Sequence, residues 1–283
     1  MATFFGEVVS VFSRAVDEDD VEEDEEDQQI RRELAGRREI SIHWSSASRT
    51  STESTAELSL PCSTFLIAVG HNAVGFLNTF VQSSGSWEVI GAVTLWNERV
   101  KGTDTLDQQF PTDSSCLLYR LASNPMVLAC QCSCYVAEDQ LFQWAEKVFG
   151  NIQKRNLEVI VLSSSSVTEY KSARSTANIS VPFLRALKTR ASQETPPCAL
   201  LEQPNVVSGL PAAVLSYCQV RQVPAVLYHC YSDVTKLDSL TIEAFRPLLA
   251  CKSLISFVKD TSRSVEILKQ LVDRSKIQSN LYT

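Results

Sequence analysis

Where the apolar pattern runs without a polar break, it predicts strands. The uninterrupted apolar segment at residues 64–70 is typical of a strand that is covered on both faces. The largely apolar segments at residues 157–162 and 225–231 also predict strands. Residues 87–95 are rich in β-branched and aromatic side chains and predict another strand. The pattern therefore favours a sheet whose centre is buried between two layers.

A further pair of strands is predicted at residues 115–121 and 126–136. The turn residues Ser123, Asn124 and Pro125 lie between them and favour a tight connection. Residues 97–113, which precede this pair, are polar and irregular. We expect them to form a long surface loop.

Helical spacing is clearest at residues 138–149, where one face carries Leu141, Trp144, Ala145 and Val148. Two acidic residues lie in its first turn, where they interact favourably with the helix dipole. Gly150 follows its end, where glycine is favoured as a C-terminal cap. Another helix is predicted after residue 70, with Asn72 as its cap and residues 83–85 as its end.

Four more helical segments are predicted in the second half of the chain. Residues 183–188 predict a short helix, and residues 210–220 predict a longer one with Pro211 in its first turn. The last fifth repeats apolar residues at helical spacing in two groups: Ile242, Phe245 and Leu249, then Val265, Leu268 and Val272.

Strands that alternate with helices predict an α/β layered fold with a substantially parallel sheet. We expect the folded domain to span residues 57–274. Residues 1–56 predict a disordered head that is dispensable for folding, because they combine an acidic run with a Ser/Thr-rich linker at residues 45–55. Residues 275–283 form a polar tail.

The negative charge of the chain lies almost wholly in this head. Residues 1–39 contain thirteen Asp and Glu and five Arg, a net charge of −8, whereas residues 40–283 have a net charge of +1. A nearly neutral domain without a basic stripe argues against a nucleic-acid partner. Residues 17–27 carry ten acids in eleven positions, which favours a solvated segment or an interaction tail for a basic surface.

The hydropathy and the cysteine count indicate an intracellular protein. No apolar stretch reaches the roughly 18 residues of a membrane-spanning helix, so no membrane span is predicted. Glu7 interrupts the apolar residues at 1–16, which makes them a poor signal peptide. Nine cysteines, an odd number, favour reduced thiols over a disulfide framework.

Three features were considered as sites for chemistry. Cys130, Cys132 and Cys134 share one face of a strand and could bind zinc, but no paired CxxC spacing accompanies them, so packed thiols are favoured and no metal is predicted. Residues 70–75 keep only the first and last glycines of a dinucleotide fingerprint, which leaves either an anion site or a plain turn.

The third feature is the set of three histidines. His43 lies in the linker, and His229 lies inside an apolar strand and is expected to be a hydrogen-bonded core residue. His71 alone is placed at the carboxyl edge of the sheet, where α/β enzymes bind their substrates. No catalytic motif accompanies it, and no cofactor is predicted.

The chain ends in a hydrophobic residue, a tyrosine and a free carboxylate: Leu281, Tyr282 and Thr283. A terminal carboxylate captured in a basic pocket, with an amphipathic tyrosine before it, is a known mode of peptide docking. A frayed end is the alternative interpretation of the same residues.

Five segments together resemble the proteasome assembly chaperone family of vertebrates: residues 130–140, 182–189, 200–205, 210–220 and 277–283. The resemblance covers about residues 57–283. It implies a Rossmann-like α/β sandwich similar to nucleoside phosphorylases, which agrees with the alternation of strands and helices.

The resemblance also implies a function by binding alone. Members of this family pair with a second, related chaperone, proteasome assembly chaperone 2. The heterodimer binds α-subunits of the proteasome core particle, scaffolds the α-ring and blocks its off-pathway dimerisation. The tail of the family inserts between neighbouring α-subunits, a docking role that carries over to Leu281, Tyr282 and Thr283.

An α/β enzyme of phosphorylase or hydrolase type that uses His71 is the alternative function. The absence from the sequence of a second polar cluster to complete a site beside His71, together with the tail, favours the chaperone over the enzyme. By the same resemblance, we expect a cytoplasmic protein with some association with the endoplasmic reticulum.

Overall fold

A computed structural model describes residues 25–45, 60–95, 116–172, 180–234, 236–256, 258 and 262–280. The chain divides into two units, Met1–Glu39 and Ile40–Thr283. In the first unit, helix α1 spans Glu25–Arg37. Side-chain hydrogen bonds one turn apart, Arg32 to Gln28 and Gln29 to Glu33, support this helix.

The second unit is built around one sheet of eight strands in the order β1-β3-β4-β5-β2-β6-β8-β7. The strands are β1 Ser41–Trp44, β2 Thr64–Val69, β3 Trp87–Thr94, β4 Cys116–Leu121, β5 Asn124–Cys132, β6 Glu158–Ser166, β7 Phe183–Lys188 and β8 Ala225–Ser232. β5, β2, β6 and β8 run parallel in the centre, and the remaining strands pair antiparallel at the two sides. The predicted layered α/β fold with a parallel centre is confirmed.

Helices cover both faces of the sheet. They are α2 His71–Phe76, α3 Leu141–Gly150, α4 Gly209–Val220, α5 Ser239–Ala244, α6 Lys252–Ile255 and α7 Ser264–Asn280. A π-helical turn, Leu77–Val81, and a 3₁₀ turn, Gln82–Ser84, extend α2. Among the described residues, none of these helices has both the length and the apolar character needed to cross a membrane.

Two buried clusters lie on the two faces, as the unbroken apolar strands require. On the first face, α3 and α4 cover the sheet, and Trp144 and Phe149 are completely buried there. On the second face, the side chains of α2 and of the C-terminal helices meet, and Phe76 packs 5.5 Å from Phe245 between ring centroids.

The folded unit begins earlier than the predicted boundary at residue 57, so that boundary is wrong. β1 pairs antiparallel with β3, and Ile40 is buried in the first cluster. The ring of Trp44 lies over Gly91, where an added Cβ would come within 2.9 Å of Trp44 Cε3. The apolar residues of this strand alternate with polar ones, as in a half-buried strand. The pattern covers only four residues between a charged and a Ser-rich segment, so it is too short to predict the strand from sequence.

The short helix predicted at residues 183–188 is also wrong, because the segment is strand β7. It pairs antiparallel with β8, with Leu184 opposite Cys230 and Ala186 opposite Tyr228. Leu184 and Ala186 are buried while their neighbours are partly exposed. This alternation has the period of a strand, and pairing with a buried strand decides the structure.

The other predicted elements are confirmed with small shifts of their ends. The strand pair is joined at residues 122–123, so Pro125 lies within β5 rather than in the turn. The predicted loop at residues 97–113 lies outside the described residues.

The outer edge of β7 is covered by the segment that follows it. Ala186 forms an isolated parallel bridge with Leu200. The Ala186 N–H donates to Ala199 O over 2.9 Å, and the Leu201 N–H donates to Ala186 O over 2.8 Å. This segment therefore uses the backbone groups that an edge strand otherwise leaves open.

Candidate functional site

The predicted docking residues Leu281, Tyr282 and Thr283 follow helix α7 directly. They lie outside the described residues, so their role stays a prediction. Upstream, Leu268 of α7 is buried in the second cluster, and Leu271 and Val272 pack against it. These three residues hold the first half of α7 against the second face of the sheet.

His71, the predicted catalytic candidate, is exposed at the first position of α2. Gly70 precedes it with φ +86°, a conformation that favours glycine and that turns the chain from β2 into the helix. Within the described part of the chain, no carboxylate or hydroxyl forms a hydrogen bond with the His71 ring. Among the described residues, no second group is hydrogen-bonded to His71 that could share a catalytic step with it.

Asn72 does not cap α2, contrary to the prediction. Its side chain is buried and joins α2 to the start of α5. Its Nδ2 donates to Lys236 O over 3.2 Å, and its Oδ1 accepts from the Asp238 N–H over 2.9 Å. Asp238 in turn caps α5 by accepting from the Thr241 N–H. Asn72 is thus a structural residue that connects two helices.

His229 is a fully hydrogen-bonded residue of the sheet, as predicted. Its Nδ1 lies 2.7 Å from Ser163 Oγ and its Nε2 lies 2.9 Å from Ser165 Oγ, both on the neighbouring strand β6. Burial lowers the pKa of His229 to about 4. The ring is therefore neutral at physiological pH, with one nitrogen donating and the other accepting.

A Ser–His pair also occurs in hydrolases, so the surroundings of His229 decide what it can do. Ser163 and His229 are both buried, at 2% and 6% exposure. A nucleophilic serine needs access to its substrate and a base oriented by a third group, usually a carboxylate. Here the third group is the hydroxyl of Ser165. The arrangement stabilises the pairing of β6 with β8 and does not expose a nucleophile.

Four polar side chains form a network of hydrogen bonds at the carboxyl edge: Tyr170, Arg185, Glu202 and Asn205. We call this network the edge clamp. The Tyr170 hydroxyl donates to Glu202 Oε1, and Arg185 Nε lies 3.3 Å from Glu202 Oε2. Arg185 Nη2 donates to the Tyr170 hydroxyl over 3.1 Å. The Tyr170 hydrogen bond is the main cause that holds the pKa of Glu202 below its usual value, and a backbone hydrogen bond and the charge of Arg185 add to it.

Aromatic rings and an amide complete the edge clamp. The Arg185 guanidinium lies over the rings of Phe183 and Tyr170, with centroid distances of 4.7 and 5.4 Å. Asn205 accepts from the Lys171 N–H over 2.7 Å and donates to Lys171 O and Glu202 O. The clamp therefore fixes the segment 198–205 against β7 and the end of β6.

The sequence did not predict the edge clamp, although two segments that carried the family resemblance contain it. Arg185 lies in the segment 182–189, and Glu202 and Asn205 lie in the segment 200–205. Tyr170 comes from outside both of them. Because the members are far apart in the chain, their contact has no local pattern.

The predicted row of three thiols is shorter than expected and gains a member from β4. β5 ends at Cys132, so Cys134 lies beyond the strand. Cys116 Sγ lies 3.8 Å from Cys130 Sγ, and Cys132 Sγ lies 3.7 Å from Cys134 Sγ. The contact with Cys130 and burial raise the pKa of Cys116, which disfavours the reactive thiolate. All nine cysteines are free.

The described residues offer little support for another ligand site. In that part of the chain, no group of three or more His, Cys, Asp or Glu side chains is arranged to hold a metal ion. A shallow cavity of about 210 Å³ lies between residues 193–197 and 250–252. Its volume lies below the roughly 300–1,000 Å³ that is typical of small-molecule sites.

Comparison with known proteins gives the family. A family model with the short name PAC1 and the description Proteasome assembly chaperone 4 matches residues 1–283. A relative from Xenopus tropicalis named Proteasome assembly chaperone 1 is 54% identical over 286 residues, covering 100% of this chain and 100% of the relative. A relative of the same name from Homo sapiens is 50% identical over 292 residues, covering 100% and 99%. Where the numbers in these names differ, identity over the full length of both chains is the more specific observation.

Solved structures are similar in fold at low sequence identity. A protein of unknown function from Thermoplasma acidophilum has a TM-score of 0.57 at 12% identity, covering 84% of this chain and 94% of the other. Pyrococcus furiosus PbaA, an archaeal homolog of proteasome-assembly chaperone, has a TM-score of 0.54 at 9% identity, covering 86% and 100%. At these identities the likeness concerns the fold alone.

Proposed function

This chain belongs to the proteasome assembly chaperone 1 family, and we propose that it promotes assembly of the proteasome core particle by binding alone. It pairs with proteasome assembly chaperone 2, and the heterodimer binds α-subunits, scaffolds the α-ring and blocks off-pathway dimerisation of that ring. The observation that carries this proposal is the 54% identity over the full length of both chains with a relative named Proteasome assembly chaperone 1.

In this proposal the last three residues dock on the α-ring. The free carboxylate of Thr283 pairs with a lysine in a pocket between neighbouring α-subunits, while Tyr282 packs and offers its hydroxyl. The resemblance of residues 277–283 to the tail of the family supports this role.

The proposal assigns no catalytic step to the chain. Two observations support this part of it. His71 has no hydrogen-bonding carboxylate or hydroxyl among the described residues, and the Ser163–His229 pair is buried. A reaction at this edge of the sheet would need an accessible nucleophile beside a base.

An affinity purification from cell extract tests the proposal. The tag is placed at the N-terminus so that the carboxylate of Thr283 stays free, and the partners are identified by intact mass. We expect a second assembly chaperone in equal amount, together with α-subunits. Recovery of the partner chaperone without any α-subunit would contradict the proposal. A version ending at Asn280 is the control for the tail.

The proposal also includes the location of the protein in the cell. We propose that it acts in the cytoplasm, with a fraction associated with the endoplasmic reticulum, which follows from the family resemblance. Cell fractionation with markers for both compartments tests this part. Recovery of the protein in neither fraction contradicts it.

A further inference from the structure

We propose that Lys154, Arg155, Arg190 and Arg221 form a docking surface for an acidic segment of another protein. These four residues are called the basic patch. This inference goes beyond the proposed function, since it concerns a surface that is separate from the C-terminal tail and stays intact when the tail is removed.

The topology of the sheet brings the four cations together. Lys154 and Arg155 precede β6, Arg221 precedes β8, and Arg190 follows β7, which runs antiparallel to β8. All four therefore lie at the amino edge of the parallel strands.

Backbone contacts confirm that these loops are adjacent. The Val159 N–H donates to Pro224 O over 2.9 Å, and the Thr189 N–H donates to Ala225 O over 2.9 Å. The Arg190 N–H donates to Gln219 Oε1 at the end of α4, also over 2.9 Å. The three loops thus meet beside the C-terminal end of α4.

One aromatic ring organises two of the cations. Lys154 Nζ lies 5.5 Å from the centroid of the Tyr217 ring, and Arg221 Cζ lies 5.7 Å from the same centroid. Tyr217 is itself held in place by stacking on Phe149, with centroids 5.0 Å apart. The two positive charges are therefore held close together on a rigid support.

The cations of the basic patch have no compensating carboxylates among the described residues. All four are exposed, and none forms an ion pair within that part of the chain. Glu158, the acid at the start of β6, does not serve this purpose. Burial and the negative charge of Glu194 raise its pKa, with no cation acting on it.

The helix dipole explains only part of this arrangement. Arg221 is the C-cap residue of α4, where a positive charge interacts favourably with the last carbonyls. Lys154, Arg155 and Arg190 belong to other segments and add like charge to the same place. Such repulsion is relieved when an anionic partner binds.

The surroundings of the basic patch fit a polypeptide rather than a nucleic acid or a membrane. Val220, 78% exposed, offers an apolar contact, and the exposed amides of Gln153 and Gln222 offer hydrogen bonds. The ring of Tyr217 is 7% exposed and leaves no face for stacking on a base. A single exposed valine gives too little apolar surface for membrane insertion.

The test uses the full chain and a fluorescent peptide of roughly ten glutamates as the acidic probe. We expect binding that weakens steeply between about 50 and 300 mM salt. Reversing two charges in Lys154→Glu with Arg221→Glu should weaken binding about tenfold or more. A second variant, Arg155→Glu with Arg190→Glu, changes two cations that do not lie over the Tyr217 ring. It should weaken binding as well, which would show that the loss does not come from a disturbed Tyr217.

The matched control is Lys171→Glu with Lys236→Glu, which changes the net charge equally at the opposite, carboxyl edge of the parallel strands, where both lysines are exposed. We expect this control to bind the peptide within about twofold of the unchanged protein. Absence of binding to the unchanged protein, or equal loss in the control, overturns the proposal. Tighter binding of an RNA duplex or of vesicles with anionic lipid, lost in the same variants, overturns the assignment to a polypeptide.

Discussion

The hydroxyl of Tyr170 donates a hydrogen bond to Glu202, thirty-two residues later in the chain. This contact joins the end of β6 to the segment that covers β7. It brings together two parts of the molecule that no turn or strand pairing connects directly.

Removing this hydroxyl should loosen the edge clamp. We expect Tyr170→Phe to lower the free energy of unfolding by about 1 kcal/mol, because Tyr170 is buried but the carboxylate of Glu202 is partly hydrated. Urea unfolding of Tyr170→Phe, Glu202→Gln and the double variant measures the coupling between the two residues. Glu169→Gln is the control. Additive effects of the two changes would mean that the hydrogen bond contributes nothing.

Acid should destabilise the protein through His229. Its pKa is about 4 in the folded chain and about 6.5 when exposed, so below pH 6.5 the unfolded chain binds a proton that the folded chain does not. Stability is therefore lost as the pH falls from 6.5 to 4, by about 3 kcal/mol in total.

The variant His229→Gln isolates this effect from the titration of carboxylates. Urea unfolding at pH 5 and pH 7 should show a smaller loss of stability for the variant than for the unchanged protein. The variant should also be less stable at pH 7, since it alters the contacts with Ser163 and Ser165. Equal losses in both proteins would contradict the prediction.

Replacement by alanine should have different effects on stability at two adjacent residues of the carboxyl edge. His71→Ala should leave both stability and assembly activity unchanged, because the exposed ring has no partner among the described residues. Asn72→Ala should cost about 2 kcal/mol, since it leaves the buried N–H of Asp238 and the carbonyl of Lys236 without their hydrogen bonds. Thermal unfolding and α-ring formation are the measurements. Loss of assembly by a stable His71→Ala protein would favour the enzyme or a ligand site.

The position of β1 gives a sharp expectation for truncations. Deleting residues 1–39 should change the Tm by no more than a few degrees, because this removes only the first unit. Deleting residues 1–45 also removes Ile40 and β1, exposes the edge of β3, and should lower the Tm by roughly 10 °C or more. Equal Tm values for the two truncations would show that β1 adds nothing to stability.

The tail should act through its end. We expect Tyr282→Ala, deletion of residues 281–283, or an added C-terminal tag to weaken α-ring binding by about 1–3 kcal/mol, roughly ten- to a hundredfold. We expect folding and binding of the partner chaperone to be unchanged, because the proposal assigns both to the folded domain and only α-ring docking to the tail. Titration of α-ring intermediates with intact and truncated heterodimer measures this. Equal affinities would mean that recognition lies wholly in the domain.

The centre of the sheet was predictable because its sequence pattern is local. The unbroken run at β2 can hardly form anything but a strand buried on both faces, and the structure places it between β5 and β6. The helix α3 followed from spacing alone. The strands at the sides of the sheet were harder to predict. In β7, for example, the alternation of apolar and polar residues is weak, and the strand forms because it pairs with β8.

The contacts at the carboxyl edge could not be predicted for a different reason. Asn72 reads as a helix cap, but its partners are Lys236 and Asp238, more than 160 residues away. Nothing in the sequence around Tyr170 or around Glu202 indicates that the two residues form a contact. Only the topology of the sheet brings such pairs together, and no local pattern encodes it.

The coverage of β7 by residues 199–201 has a consequence for solubility. In the proposed function, this protein binds ring subunits before their assembly is complete. An open β7 would offer them a template for cross-chain pairing, which is the first step of aggregation. The outward N–H and C=O of Ala186 are already hydrogen-bonded to residues of the same chain. A strand of another protein therefore cannot pair with the sheet at that position.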